Sequence, residues 1–285
     1  MTKWEFSPAE LHVPGGTTKP IGAIIDFTGG RPGTYTTNLI YIVSADIVPA
    51  DSVLVDLAQL TGDYEAQDGD VLTGTAASSG IHITVVAGAA ITLKDATIMS
   101  IPNDESRKWA GITPLGDATI ILEGTNEVKG GYFSYPGILA AENSTLTIKG
   151  TGSLEASSNG YGAGIGGGMS LACGNIVIEG GNITATGGSN EAGIGGGMQA
   201  SCGTITITGG TVTATGGNRA AGIGSGEAVD IYASCGDITI TSGVTSVTAT
   251  AGGGDWDTTK YSIGAGNNGE CGTVTIAPGA NVTQN

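Results

Sequence analysis

The stretch that decides the fold is a repeat built from Gly164-Ile165-Gly166-Gly167-Gly168, Cys173-Gly174-Asn175-Ile176-Val177-Ile178-Glu179-Gly180-Gly181 and Asn182-Ile183-Thr184-Ala185-Thr186-Gly187-Gly188. The same three pieces return one repeat later around Ile194, Ile205 and Val212, and a third copy begins at Ile223. Each unit therefore holds three short apolar segments that are separated by glycines. A fixed period of about 30 residues is typical of a solenoid, in which each repeat stacks on the next.

A small-Gly-Ile signal extends the repeat in both directions. Its isoleucines are separated by 26, 27, 29, 29 and 40 residues and lie at Ile112, Ile138, Ile165, Ile194, Ile223 and Ile263. Segments that alternate apolar and polar residues follow each isoleucine, and this period of two is typical of β-strands. Three strands per coil of 26–29 residues, with glycine corners, predict an all-β parallel β-helix. Its inward-facing residues should include Ile165, Ile176, Ile178, Ile183 and Ala185.

The N-terminal segment, residues 1–63, does not carry the repeat. Strand-like apolar pieces at residues 21–25, 39–43 and 52–57 are separated by segments rich in Gly and Pro. An open end of a solenoid exposes both its core and its strand edges, so something must cover it. We therefore predict a short N-terminal β cap or attachment segment over residues 1–63 and the parallel β-helix over residues 64–285.

The charge balance narrows the classes of partner. The chain has 26 acidic and 10 basic residues and a formal net charge of −16, so phosphate backbones and anionic membrane surfaces are disfavoured. A neutral glycan or a cation is compatible with this charge, whereas a polyanionic glycan would need bridging cations. No apolar run is long enough for membrane insertion, and the start at Met1 lacks the apolar core of a signal peptide. A trimmed signal peptide or a virion component would each explain that start.

The repeat motifs resemble those of a known group of proteins. Ala-Gly-Ile-Gly-Gly-Gly, Cys-Gly-Thr-Ile-Thr-Ile-Thr-Gly-Gly and Thr-Val-Thr-Ala-Thr-Gly-Gly look like the right-handed parallel β-helix repeats of large bacterial surface proteins that are often described as carbohydrate-binding. The resemblance covers residues 64 to 285, and the same shaft occurs in pectate lyases, polygalacturonases and phage tailspikes. It implies the fold, whereas function resides in sites that the repeats do not encode.

Four cysteines precede the equivalent strand in four successive coils, at Cys173, Cys202, Cys235 and Cys271. We expect a buried ladder of thiols, because parallel side chains in register hold their Cβ atoms somewhat too far apart for good disulfide geometry. Disulfides remain an alternative. A zinc site, which needs converging ligands, is a second alternative.

The chain is expected not to be an enzyme. The regular coils hold only scattered charged residues, and no two carboxylates recur on one strand in adjacent coils as paired acids for glycan cleavage would. A polysaccharide lyase or hydrolase is therefore a lesser alternative. Regular Thr-x-Thr arrays, such as Thr184/Thr186 and Thr213/Thr215, resemble those of several ice-binding proteins, although threonine is also a good polar residue for exposed strands.

Aromatic residues collect in the corner just before the small-Gly-Ile signal. Stacked coils would align them along one edge with polar residues between, and sugar rings stack on such aromatic faces. The predicted ligand-binding residues are Trp109, Tyr132, Tyr135, Tyr161, Asn190, Arg219, Trp256 and Tyr261. The alternative is that these rings cover the core or meet a partner subunit. Asp255 and Asp257 are candidates for a calcium ion, and no other cofactor is expected.

These observations predict a non-catalytic surface or adhesin module that binds a polysaccharide or cell-surface glycan along a corner edge, outside the cell. The alternative is a virion fibre, decoration or receptor-binding protein of a phage, for which we expect a homotrimer. Ice binding is a further alternative.

Overall fold

The computed structural model describes residues 9–12, 18–21, 53–77, 80–99, 108–131, 133–229, 232–254 and 261–285. The chain divides into two compact units, residues 1–50 and residues 51–285. In the first unit, strands β1 (Ala9–His12) and β2 (Thr18–Ile21) pair in antiparallel fashion. The strand predicted over residues 39–43, and most of that over residues 21–25, lie outside the described residues.

As far as it is described, the second unit is a series of short strands, and a 3-10 helix lies at Leu57–Gln59. Its first strands are β3 (Leu54–Asp56), β4 (Tyr64–Ala66), β5 (Val71–Ala77), β6 (Ile83–Val85), β7 (Ala90–Met99), β8 (Thr113–Pro114), β9 (Ala118–Glu123), β10 (Thr125–Lys129), β11 (Ile138–Leu139), β12 (Thr145–Gly150) and β13 (Ser153–Ser157). β3 lies within the segment predicted as a cap, and it pairs with β5.

The remaining strands belong to the regular repeats that the sequence identifies. They are β14 (Ile165–Gly166), β15 (Asn175–Ile178), β16 (Asn182–Thr186), β17 (Ile194–Gly195), β18 (Ile205–Ile207), β19 (Thr211–Thr215), β20 (Ile223–Gly224), β21 (Ser234–Cys235), β22 (Ile238–Ile240), β23 (Ser246–Thr250), β24 (Ile263–Gly264), β25 (Glu270–Cys271), β26 (Val274–Ile276) and β27 (Val282–Gln284). Many of these strands coincide with segments in which apolar and polar residues alternate, such as β15 and β16.

Among the described residues of the second unit, the named strands pair in parallel and build three faces, with a short additional pair β21-β25. The first face runs β9-β12-β15-β18-β22-β26 and the second runs β10-β13-β16-β19-β23-β27, while β7 contributes to both. The third face runs β4-β6-β8 and then β11-β14-β17-β20-β24, and a bridge between Ile112 and Ile138 joins these two groups. Each of the eight third-face strands begins one coil, numbered 1 to 8 below. The predicted all-β parallel β-helix with three strands per coil is confirmed.

The core is a set of apolar ladders inside the coils. Ile165, Ile194 and Ile223 pair in register on the third face and are fully buried. The predicted inward residues of the other faces, Ile176, Ile178, Ile183 and Ala185, are fully buried as well. Burying such an aliphatic side chain contributes about 1.5–3 kcal/mol. The alternation of apolar and polar residues in the sequence therefore places the apolar side chains in ladders that pack inside the stacked coils.

Acidic and amide side chains at the start of the first face join consecutive coils. The side-chain oxygens of Asp117, Asn175 and Asp237 accept hydrogen bonds from the backbone N–H groups of Thr145, Thr204 and Thr273, at 2.7, 2.9 and 2.7 Å. In each case the acceptor lies one coil before the donor, in coils 3, 5 and 7. These bonds satisfy backbone donors at a corner where the regular ladder is interrupted.

The four cysteines form disulfides between coils 5 and 6 and between coils 7 and 8. The expected ladder of free thiols is therefore wrong. Disulfides join Cys173 to Cys202 and Cys235 to Cys271, with Cα–Cα distances of 4.5 and 4.4 Å. These distances lie at the short end of the range for disulfides. Cys235 and Cys271 are in-register partners of the short parallel strands β21 and β25, and Cys173 and Cys202 occupy the equivalent corner of coils 5 and 6. The in-register stacking of these corners therefore brings the cysteines together, contrary to the expectation that it would keep their side chains apart.

Candidate ligand-binding edge

In coils 5 to 8, the residues on the two sides of each third-face strand fold back towards each other as a tight hairpin. The N–H groups of Ala163, Ala192, Ala221 and Tyr261 donate to the carbonyl oxygens four residues later, at 2.9, 3.2, 3.2 and 2.9 Å. The residue after each isoleucine is a glycine with positive φ, for example 128° at Gly195, a conformation that glycine adopts without steric cost. Residues four before and four after the isoleucine are thereby brought together at the corner.

This corner carries one predicted ligand-binding residue in each of six coils. We call it the corner edge and define it by residues 109, 133–135, 161, 190, 219 and 261, which precede the third-face strands of coils 3 to 8. Backbone bonds such as Arg219 N–H to the carbonyl of Gly253, at 2.8 Å, link neighbouring coils along it. Tyr132, Trp256, Asp255 and Asp257 lie outside the described residues.

An aromatic contact on the corner edge joins Phe133 and Tyr161. Their ring centroids are 4.7 Å apart at an interplanar angle of 52°, and the backbone N–H of Tyr161 donates to the carbonyl of Phe133. Phe133 is 45% exposed. The sequence pattern places Phe133 in the same corner as Tyr135, but Phe133 is not among the predicted ligand-binding residues, although it precedes Tyr161 by the length of one coil.

Trp109 stacks on a residue that sequence reasoning also missed. Its ring centroid lies 5.0 Å from that of His82 at an interplanar angle of 24°, and His82 Nε2 lies 3.0 Å from Thr113 Oγ1. Burial lowers the pKa of His82, an effect partly opposed by Asp63, so the ring is uncharged at neutral pH. His82 precedes Trp109 by the length of one coil, and this spacing was the available signal.

Asn190 and Arg219 make contacts within their own corner hairpins. The Asn190 side-chain amide lies 3.6 Å from Met198 Sδ, and Arg219 Nη1 lies 2.9 Å from Glu227 Oε1. Glu227 is almost fully buried, whereas the Arg219 side chain is partly accessible. Two predicted ligand-binding side chains therefore also hold the corner together. Tyr261, in coil 8, is 55% exposed.

Glu191 is a buried carboxyl in the corner of coil 6 that the sequence does not single out. Its side chain has no exposed surface, its Oε2 accepts a 2.5 Å hydrogen bond from the backbone N–H of Met198, and its Oε1 has no partner among the described residues. Burial raises the pKa of Glu191 to about 8, against the opposing effect of the Met198 hydrogen bond. The carboxyl is therefore protonated at neutral pH and adds no charge to the corner edge.

The described part of the chain contains neither a metal-binding cluster nor a helix that could span a membrane. Within that part, no three His, Cys, Asp or Glu side chains are grouped closely enough to hold a metal ion. Within the same residues, no helix has the length and apolar character needed to cross a bilayer.

Comparison with known proteins identifies the repeats and nothing beyond them. A family model described as a beta helix repeat matches residues 146–169, 176–198 and 205–227. No curated protein and no solved structure gives a significant match to the chain. The three matched segments fold into consecutive coils of an all-parallel sheet. Together, the family match and the strand pairing show that the chain is a parallel β-helix repeat protein.

Proposed function

We propose that this β-helix is a non-catalytic surface module that binds a neutral glycan along its corner edge. The observation that carries the proposal is the Phe133–Tyr161 contact, in which Phe133 is 45% exposed and the two rings come from neighbouring coils. Sugar rings stack on aromatic faces of this kind, and nearby polar groups fix their orientation. The His82–Trp109 stack supplies a second aromatic surface two coils away.

The charge distribution supports a neutral ligand. The chain as a whole carries a formal charge of −16, and a polyanionic glycan would be repelled. Arg219 on the corner edge pairs with Glu227. Beside the edge, burial keeps His82 neutral and Glu191 protonated at neutral pH. A ligand that approaches this edge therefore meets aromatic and hydrogen-bonding groups with little net charge.

The use of the acidic side chains supports a non-catalytic role. Asp117 and Asp237 bind backbone N–H groups of the following coil, and Glu227 pairs with Arg219. Carboxylates that act in glycan cleavage instead need free access to a glycosidic bond. The two disulfides support a location outside the reducing cytosol, because such bonds persist in oxidising compartments.

The test is a glycan array followed by calorimetry on the variants Phe133→Ala and Tyr161→Ala. We expect each variant to bind the selected neutral glycan at least tenfold more weakly than the unmodified protein. Tyr232→Ala is the matched control, because Tyr232 is 70% exposed but lies between β20 and β21, away from the corner edge.

Three outcomes would overturn this proposal. An equal loss in Tyr232→Ala would mean that the corner edge is not the site. Trimers in solution that bind no glycan on the array would favour the virion fibre, and release of new sugar ends from a polysaccharide would identify an enzyme.

A further inference from the structure

The second face of coils 5 to 8 presents a regular array of hydroxyl groups. Strands β16, β19, β23 and β27 pair in register, so that Thr184, Thr213, Thr248 and Thr283 form one column and Thr186, Thr215 and Thr250 form a second. Asn182, Thr211 and Ser246 form a third column beside them. We call these ten residues the threonine array.

The threonine array is uncharged although the chain is strongly acidic. None of its ten residues carries a charge, while the formal charge of the chain is −16. The same face in coils 3 and 4 carries Glu127, Lys129 and Glu155, and Glu155 occupies the position of Thr184 one coil earlier. The fold therefore accepts charged residues at these positions, so the uncharged array is a property of these coils and not a requirement of stacking.

The protein uses the hydroxyl groups of the array only in part, since Thr250 Oγ1 accepts a hydrogen bond from Asn285 Nδ2 at 3.4 Å. The side chains of Thr184, Thr186, Thr213, Thr215 and Thr248 make no hydrogen bond to the described residues of the protein, and the first three are exposed. The disulfides Cys173–Cys202 and Cys235–Cys271 link coil 5 to coil 6 and coil 7 to coil 8. The coils that carry the array are thus the coils that are covalently tied together in pairs, which limits their relative motion.

The dimensions of the array follow from strand geometry. Neighbouring strands lie about 4.8 Å apart, and outward residues two positions apart along a strand are separated by about 6.7 Å. Each threonine offers a methyl group, which orders the adjacent water, and a hydroxyl group, which bonds to it. Oxygen atoms on the prism faces of hexagonal ice repeat at similar distances.

From these observations we propose that the threonine array binds ice. The ligand is a periodic, uncharged lattice of water, held by the columns at 184/213/248/283 and 186/215/250. This surface shares no residue with the corner edge, so the proposal stands or falls independently of glycan binding.

The test compares two variants of identical composition in the full, oxidised chain. Thr213→Glu places a carboxylate in the centre of the array, at the position that Glu155 occupies in coil 4, so the variant should fold. Thr206→Glu places the same charge on the first face, outside the array. The measurements are thermal hysteresis and inhibition of ice recrystallisation at micromolar protein.

We expect the unmodified chain and Thr206→Glu to inhibit recrystallisation at similar concentrations, and Thr213→Glu to require at least tenfold more protein. Phe133→Ala should retain full activity on ice. Inactivity of the unmodified chain, or equal activity of the two glutamate variants, would overturn the proposal. Retention of the chain on crystalline cellulose or chitin, lost in Thr213→Glu, with no effect on ice would replace ice by a crystalline polysaccharide.

Discussion

Cys173 and Cys202 occupy equivalent positions of coils 5 and 6, with their Cα atoms 4.5 Å apart, and a disulfide joins them. The second disulfide, Cys235–Cys271, does the same for coils 7 and 8. The hydrogen bonds from Asn175 to Thr204 and from Asp237 to Thr273 link the same pairs of coils. The C-terminal half of the solenoid is therefore built of two covalently closed pairs of coils, and coils 6 and 7 meet through non-covalent contacts.

Removing one disulfide should lower stability without changing the fold. The bond between Cys173 and Cys202 closes a loop with a sequence separation of 29, for which the loss of unfolded-state entropy is worth about 3–4 kcal/mol. We expect Cys173→Ser/Cys202→Ser to lose this amount of unfolding free energy in urea denaturation. A reductant should destabilise the unmodified chain but not a variant with all four cysteines replaced. Rapid alkylation of four thiols in the native, oxidised protein would contradict the pairing.

Stability should fall as the pH rises, because of Glu191. The pKa of its carboxyl is about 8 in the folded chain and 4.5 in its ordinary state, so folding favours the protonated form. The stabilisation is complete below pH 4.5 and is lost between that value and about pH 8, at up to about 1.4 kcal/mol per pH unit. Urea denaturation at several pH values should show this slope, and Glu191→Gln should remove it.

Glu179→Gln is the control for that measurement, because Glu179 is exposed. It should leave the slope unchanged. A slope that survives in Glu191→Gln would mean that another group controls the pH dependence of the fold.

Gly217 should not tolerate a side chain, whereas Gly253 should. A methyl group at Gly217 would overlap the carbonyl oxygen of Gly188 in the preceding coil, while one at Gly253 would meet nothing within 4 Å. Overpacking of this kind costs about 1–3 kcal/mol or more. Thermal melts should therefore show a lower Tm for Gly217→Ala and no decrease for Gly253→Ala. Similar melting curves for the two variants would show that the coils separate to admit the methyl group.

Asn126 should be needed for the junction of coils 2, 3 and 4. It is buried, its Oδ1 accepts from Ala96 N–H at 2.9 Å, and its Nδ2 donates to the carbonyl oxygens of Glu123 and Ser153 at 3.0 Å each. Asn126→Ala leaves these backbone groups without their partner, at a cost of about 1–3 kcal/mol for each unsatisfied group. Denaturation of Asn126→Ala beside Asn182→Ala, an exposed asparagine of the second face, measures the difference. Equal stabilities would show that water replaces the amide.

The alternation of apolar and polar residues predicted most of the fold. Because each inward isoleucine repeats at the spacing of one coil, its ladder partner can be read from the sequence, as with Ile165, Ile194 and Ile223. The alternation could not predict Asn126, a polar residue at an inward position, because its role depends on carbonyl groups of other coils. The sequence predicted that the corner residues of successive coils line up along one edge. The contacts Phe133–Tyr161 and His82–Trp109 could be identified only from the positions of the rings in adjacent coils.

The sequence by itself determined the parallel β-helix, its three strands per coil, and which residues face inward, since these depend on local periods of 2 and about 29 residues. Only the tertiary structure decided the pairing of the cysteines, the burial of Glu191 and the contacts of Arg219, because each depends on the backbone shape of a corner. That shape brings together residues of one hairpin or of adjacent coils. Corners differ between coils while strands repeat. The interactions specific to this protein are therefore concentrated where a one-dimensional pattern carries the least information.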